Sequence, residues 1–304
     1  MSLANLSLVD IMRTAAREHV LVPAFNVAHL PMVEPICGTL AELDTFGLVE
    51  VARPDVEKFG AQSFAAVAAE YQRLADPCLT RLHLDHVPVV DEDGQRVDWE
   101  PIIGEAIGLG FNSVMIDGSR LSLDENIAIT AQVAGMAHPH GVPVEAELGA
   151  VLGHEAGPLP PYEELFASGR GFTDPGEAAR FVRETGCDWL SVAVGNIHGA
   201  ISGAARDRKK VEARLNVEHL RRLFDATGVP LVLHGGSGIQ AEYLRQAVQN
   251  GIAKINIGTE IRQAFERGIA ETGEVAKGQE AVAESIRNLV REVYRIEGSA
   301  KRLE

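Results

Sequence analysis

The sequence is short of basic residues, cysteines and long apolar runs, and each shortage excludes something. Lys and Arg number 28 against 43 Asp and Glu, giving a formal net charge of −15, and no Lys/Arg-rich block offsets it. Nucleic acid and anionic membrane are therefore poor partners, because a broad phosphate-neutralising face is missing. A small anionic substrate remains open to the chain, since a metal ion or a few backbone N–H groups can make one pocket locally positive. The three cysteines, Cys37, Cys78 and Cys187, are widely spaced and form no CxxC pair. That usage fits a reduced, cytoplasmic protein whose thiols serve as small core residues. No apolar run reaches the roughly 18 residues needed to cross a bilayer. The N-terminal MSLANLSLVDIMRTAAREH reads as an amphipathic helix rather than a signal peptide. Domain linkers and low-complexity tracts are also missing.

What is present is a repeated alternation. Eight β-branched, apolar runs recur: VLVPAFNV (20–27), GLVEVA (47–52), TRLHLDHV (80–87), SVMIDG (113–118), VPVEAELG (142–149), WLSVAVG (189–195), PLVLHG (230–235) and KINIGT (254–259). Segments such as DPGEAARFVRETG and NVEHLRRLFDATG lie between them, with apolar residues three and four apart and a terminal glycine, as in helices with glycine C-caps. Strand–helix alternation with short connections means a parallel sheet, and eight units predict closure into a (β/α)8 TIM barrel. A doubly wound sheet would need a glycine-rich phosphate turn after its first strand; this one runs into AFNVAHLPMVEP instead. The expectation is one domain over 1–304, with a helical tail from about residue 279. Two connections, 89–99 and 154–171, are long and follow strand ends, where barrel enzymes carry active-site loops.

Strands of a parallel barrel should be nearly continuous apolar runs. The exceptions are placed at the C-terminal ends: Asn26, Asp85 with His86, Asp117, Glu145 with Glu147, His198, His234 and Asn256. Histidines from three strands converging on one mouth match what a catalytic zinc site needs, with an open position for substrate or water. His138 and His140 at a helix end, and His19 and His219 on helices, read as solvated or capping residues. Asp85 would face away from His86 in a regular strand, but a turning strand end lets both face the mouth. There Asp85 suits either general acid/base work or the orienting of a histidine. HGGSG (234–238) brings glycine N–H groups and Ser237 close to an anion, and NIGTE (256–260) opens a helix whose N-terminus completes a phosphate cradle.

In AFNV (24–27), HLDH (83–86), GFNSVMIDGS (110–119), VEAELG (144–149), FTDP (172–175), GNIHG (195–199), VPLVLHGGSG (229–238) and KINIGTE (254–260), the chain resembles the class II, metal-dependent fructose- and tagatose-bisphosphate aldolases. The resemblance runs from the first strand into the helix after the eighth. It implies Zn2+ on His86, His198 and His234, with Glu147 linked to an alternative, buried metal position. It implies Asp85 as the acid/base at the scissile bond, Asn256 on the ketose portion, and Glu155, beside His154, as the group that moves the dihydroxyacetone-phosphate proton. Asn26, Gly235, Ser237, Gly258 and Thr259 fall where substrate and phosphate are held, and Gly199 where a monovalent cation site is often built. The implied reaction is reversible aldol cleavage of a ketose phosphate to dihydroxyacetone phosphate and an aldehyde, by a homodimer or homotetramer. Lys254 offers a Schiff-base reading, but the metal residues make it the poorer one.

The chain also departs from that pattern. Where a small or polar substrate-facing residue is usual after the second strand, the chain has VEVARPDVEKFGAQS (49–63), with Glu50 and Arg53 placed to line the pocket, and VVDEDGQRVDW (89–99) is inserted after HLDH. GAISGAARDRKK has no lysine in register for phosphate, leaving Arg206 or Lys209 as substitutes, and the C-terminal region lacks an arginine stretch for a second phosphate. These departures point to a ketose phosphate whose distal group differs from phosphate. The competing readings are another zinc-dependent barrel lyase or epimerase, and a non-catalytic aldolase-like subunit or sensor.

Overall fold

The β-branched runs become eight parallel strands in a computed structural model that describes residues 2–149, 162–196, 214–236 and 239–304. The strands are β1 Val22–Asn26, β2 Gly47–Ala52, β3 Thr80–Pro88, β4 Ser113–Asp117, β5 Val144–Leu148, β6 Trp189–Val192, β7 Leu231–Leu233 and β8 Ile252–Ile257. They pair in sequence order and close, β8 lying against β1, so the sheet is a (β/α)8 barrel as expected. The helices among the described residues are α1 Leu8–Glu18, α2 Val33–Glu42, α3 Arg53–Lys58, α4 Phe64–Leu74, α5 Trp99–Gly108, α6 Leu123–Ala137, α7 Tyr162–Ser168, α8 Pro175–Thr185, α9 Val217–Thr227, α10 Ala241–Val248, α11 Thr259–Thr272 and α12 Val275–Asn288.

Local chemistry explains their limits. Asp174 caps α8 through the Glu177 N–H, Pro175 opens the helix, and Gly186 ends it in the left-handed conformation. Ser122 and Glu125 make a reciprocal capping box at α6. One core lies between the barrel and its helices. A second lies beneath the barrel, where Leu8, Ile11, Met12 and Ala15 of α1 pack under Leu48, Trp189 and Val232, joined by Ala300 and Leu303. With α1 closing the N-terminal end, the functional face is the opposite one, at the strands' C-terminal ends.

The barrel interior is not wholly apolar. Glu50, His83, Glu145 and Lys254 are each 0% exposed. Glu145 corrects the sequence reading. It is the second residue of β5 rather than a strand-end residue, and it lies deep in the barrel. A period-two pattern tells which face a side chain takes but not at what depth.

Candidate active site

The site starts from an irregularity in β3. Across β3 and β4 the register passes from Leu84↔Val114 to Val87↔Ile116, so Asp85 and His86 together oppose one residue. This is a bulge, and His86 takes it up with φ +25°, a conformation uncommon outside glycine. The strand runs on to Pro88, so it is this bulge and not the turning strand end expected from the sequence that lets two consecutive side chains serve one mouth.

His86 Nε2 meets His234 Nδ1 at 2.5 Å, with the rings edge to face at 89°. Each imidazole is held from behind by a carboxylate. His234 Nε2 lies 2.7 Å from Glu145 Oε1, and His86 Nδ1 lies 3.5 Å from Asp117 Oδ2. When those outer nitrogens carry the protons, two lone pairs face each other, and they repel unless a cation lies between them. Glu147 Oε2 is 3.8 Å from His234 Nδ1. The sets Asp85–His86–His234 and His86–Asp117–Glu147 each bring one donor atom per residue within 4.8 Å of the others. Burial alone would lower the His86 pKa, but Asp85, Asp117 and Glu147 outweigh it and raise it to about 10. The position favours positive charge, whether a proton or a metal ion. Burial raises the Glu147 carboxyl, and Asp117 adds to the effect. The imidazole and carboxylate donors therefore fit a divalent cation.

Asp85 is 2% exposed and held by two amides: Asn256 Nδ2 donates to Oδ1 at 2.8 Å and Asn26 Nδ2 to Oδ2 at 2.9 Å. Burial opposes its charge, yet His86, His234 and Lys254 together hold it down to about 2. The orientation of Asn256 is itself fixed, since Lys254 Nζ donates to Asn256 Oδ1 at 2.7 Å. Lys254 also lies 2.9 Å from Glu145 Oε2 and 3.3 Å from Glu50 Oε2. The second contact is close enough for attraction but out of line, and among the described residues neither Glu50 oxygen has a well-aligned hydrogen-bond donor. Burial, then Asp85, push Glu50 well above the ordinary carboxyl range despite Lys254. Glu50 is thus buried beneath the site instead of lining its open part. Lys254, anchored to Glu145, is raised chiefly by that carboxylate against the effect of burial. It stays charged, which is unsuited to Schiff-base chemistry.

Gly235 (φ +68°) and Gly236 follow β7, where a Cβ at Gly236 would meet Ile255 at 2.5 Å. After β8, Gly258 precedes Thr259 at the N-terminus of α11, and a Cβ at Gly258 would lie 3.0 Å from Asn26 Oδ1. These glycines, with Thr259, stand side by side because β7 and β8 are paired. His154, Glu155, His198, Gly199, Arg206, Lys209 and Ser237 lie outside the described residues. His19, His138 and His219 have structural partners, in the Val248 carbonyl, Asp188 and the Thr173 carbonyl respectively.

Asp55 is a site residue that the sequence reading missed. It is 7% exposed in the first turn of α3, and Asn26 Nδ2, already bonded to Asp85, lies 3.4 Å from Asp55 Oδ2. Burial raises its carboxyl to about 7 against the bond from the Ala52 N–H. In sequence, RPD after a strand reads only as an ordinary helix start with an acidic first turn.

The family model for class II fructose-bisphosphate aldolase matches residues 6–302. A protein of Escherichia coli K12, YdjI, is 38% identical over 82% of this chain and 81% of its own. The crystal structure of the YdjI aldolase superposes with a TM-score of 0.74 at 30% identity, covering 97% of this chain and 99% of that one. A 6-phospho-5-dehydro-2-deoxy-D-gluconate aldolase of Bacillus velezensis is 33% identical over 95% and 96% of the two chains. A fructose-bisphosphate aldolase of Geobacillus stearothermophilus is 33% identical over 87% and 84%. The chain belongs to the class II fructose-bisphosphate aldolase family and is an aldolase, a carbon–carbon lyase.

Proposed function

We propose that this enzyme cleaves a ketose phosphate to dihydroxyacetone phosphate and an aldehyde, using a zinc ion held by His86 and His234 together with His198, with Glu147 in reach. The observation that carries the reading is the pair of imidazole nitrogens at 2.5 Å, each backed by a carboxylate. Bound there, a divalent ion supplies Lewis-acid polarisation of the substrate's carbonyl oxygen.

The chain's own residues account for the proton traffic. Asp85, oriented by the Asn26 and Asn256 amides and held ionised by the charges of His86, His234 and Lys254, accepts the proton of the hydroxyl on the carbon beyond the scissile bond. As that O–H bond breaks, its electron pair forms the aldehyde C=O. The carbon–carbon pair then passes to the carbonyl-bearing fragment, which takes a proton to become dihydroxyacetone phosphate. Glu155 is the residue we assign to that protonation. Asn256 can also donate towards a substrate oxygen, and Lys254 sets which way its amide points. The glycines after β7 and the α11 N-terminus, with Asn26 and Thr259 beside them, form the phosphate cradle together with Ser237 and Gly199.

The relatives' names cover two kinds of substrate, a bisphosphate and a phosphorylated gluconate derivative. The shared part is the phosphate. The test is cleavage of a ketose phosphate panel by protein stripped with chelator and reloaded with zinc, triose phosphate being measured by coupling. Zinc-dependent triose release is expected. An epimerised sugar without triose would defeat the assignment.

A further inference from the structure

The wall between β2 and β3 differs in charge from what a second phosphate would need. Asp55 stands next to Asp85, the two sharing the Asn26 amide at 3.4 and 2.9 Å. Asp55 Oδ2 is also taken by the Ala52 N–H at 2.8 Å, whereas no donor among the described residues reaches Oδ1. Among the described residues, the cations of α3 and of the inserted segment are engaged by carboxylates. Arg53 pairs with Glu57 at 2.6 Å and Asp91 at 3.7 Å, Lys58 with Glu92, and Arg96 with Glu125 at 3.7 Å. Asp91 and Glu92 belong to the inserted segment, so the insertion itself neutralises the cations of α3. A phosphate here would face Asp55, with no uncommitted guanidinium or ammonium in α3 or the inserted segment among the described residues. A hydroxyl would find an acceptor.

We infer that Asp55 is the specificity-determining residue for the aldehyde half of the substrate, accepting a hydroxyl beyond the scissile bond and selecting an uncharged polyhydroxy aldehyde over a phosphorylated one. This rests on the aldolase reading and on Asp85 as the proton acceptor. A lost hydrogen bond to a buried polar group is worth roughly ten- to hundredfold in discrimination.

The experiment is condensation of dihydroxyacetone phosphate with glyceraldehyde or glyceraldehyde 3-phosphate, on zinc-loaded wild type, Asp55→Ala and Asp55→Asn. The readout is the ratio of kcat/KM for the two acceptors, which loss of folded protein does not move. Wild type should favour glyceraldehyde by about tenfold or more, and the ratio should fall roughly ten- to hundredfold in Asp55→Ala. Asp55→Asn keeps the shape without the charge, and should regain activity with the phosphorylated acceptor. A wild-type preference for glyceraldehyde 3-phosphate, or a ratio unmoved in both variants, would overturn the inference. Wild-type proton exchange into dihydroxyacetone phosphate in D2O, which needs no acceptor, tests the aldolase reading separately. With exchange present and the ratio unmoved, only the assignment of Asp55 fails. With exchange absent, the aldolase reading fails and takes this inference with it.

Discussion

Replacing Lys254 by Met should cost far more stability than replacing Glu50 by Gln, although both residues are wholly buried and touch each other. Lys254 Nζ is 2.9 Å from Glu145 Oε2, and at an effective dielectric of about 20 that attraction is about 6 kcal/mol. Removing the ammonium leaves an ionised Glu145 without its main counter-charge, and losing one partner of a buried pair costs about 3–5 kcal/mol. Glu50 is different. Burial and Asp85 favour its neutral form, and glutamine has nearly the shape of a neutral carboxyl, so Glu50→Gln should stay within about 1 kcal/mol of wild type. Urea unfolding followed by circular dichroism and tryptophan fluorescence would measure both. Trp189 is a local reporter because its Nε1 donates to Glu145 Oε2 at 2.7 Å. If Lys254→Met lost under about 1 kcal/mol, or Glu50→Gln lost as much as Lys254→Met, the charge assignment inside the barrel would be wrong.

Asp85→Asn should lower kcat by about 10²–10⁴-fold while zinc content, read by atomic absorption, stays near wild type. Retained turnover would remove Asp85 from the chemistry. Because His86 holds a proton up to about 10 when no metal displaces it, apparent zinc affinity should rise by about tenfold per pH unit between pH 6 and 9. Competition with a chromogenic chelator would show this, and a flat profile would refute it. Asp55 has a folded pKa near 7, above its unfolded value of about 3.9, so it binds its proton more tightly when folded. Its contribution is present at low pH and is lost as pH rises towards 7, at up to about 1.4 kcal/mol per unit. The stability of Asp55→Asn relative to wild type should therefore improve from pH 4 to 8, and a pH-independent difference in urea midpoints would contradict that. Gly268→Ala should destabilise by about 1–3 kcal/mol, since its Cβ would sit 2.5 Å from the Lys277 carbonyl oxygen, where α11 and α12 touch through backbone. An unchanged thermal midpoint would show that the helices can part freely.

The barrel was legible because each strand is an apolar run bounded by helix signals, and β2 matches the expected run residue for residue. The ends of β6 and β7 fall earlier than the apolar runs did, at Val192 and Leu233, because the chain is already turning into the loops that follow. Asp85, His86, His234 and Asn256 were legible as polar interruptions at strand ends, and the bulge in β3 accounts for the pair at 85 and 86. The grouping of Glu50, His83, Glu145 and Lys254 was not, because depth inside a barrel depends on shear between strands, and no single strand's pattern encodes it. Asp55 escaped for a different reason. Its carboxyl caps Ala52, so locally it looks structural, and only the closing of β1 against β2 brings it to Asn26.

The bulge in β3 has an evolutionary meaning. Because one bulge delivers both the carboxylate and the imidazole, Asp85 and His86 are indexed to the backbone of the barrel rather than to the loop that leaves β3 after Pro88. That loop can lengthen, change sign or trade its contacts with α3 while the bulge keeps Asp85 and His86 on the same mouth. On the proposed reading, substrate choice and bond cleavage are in this sense separately heritable, and a lineage could sample new sugars by rewriting residues 89–98 while the bulge is kept.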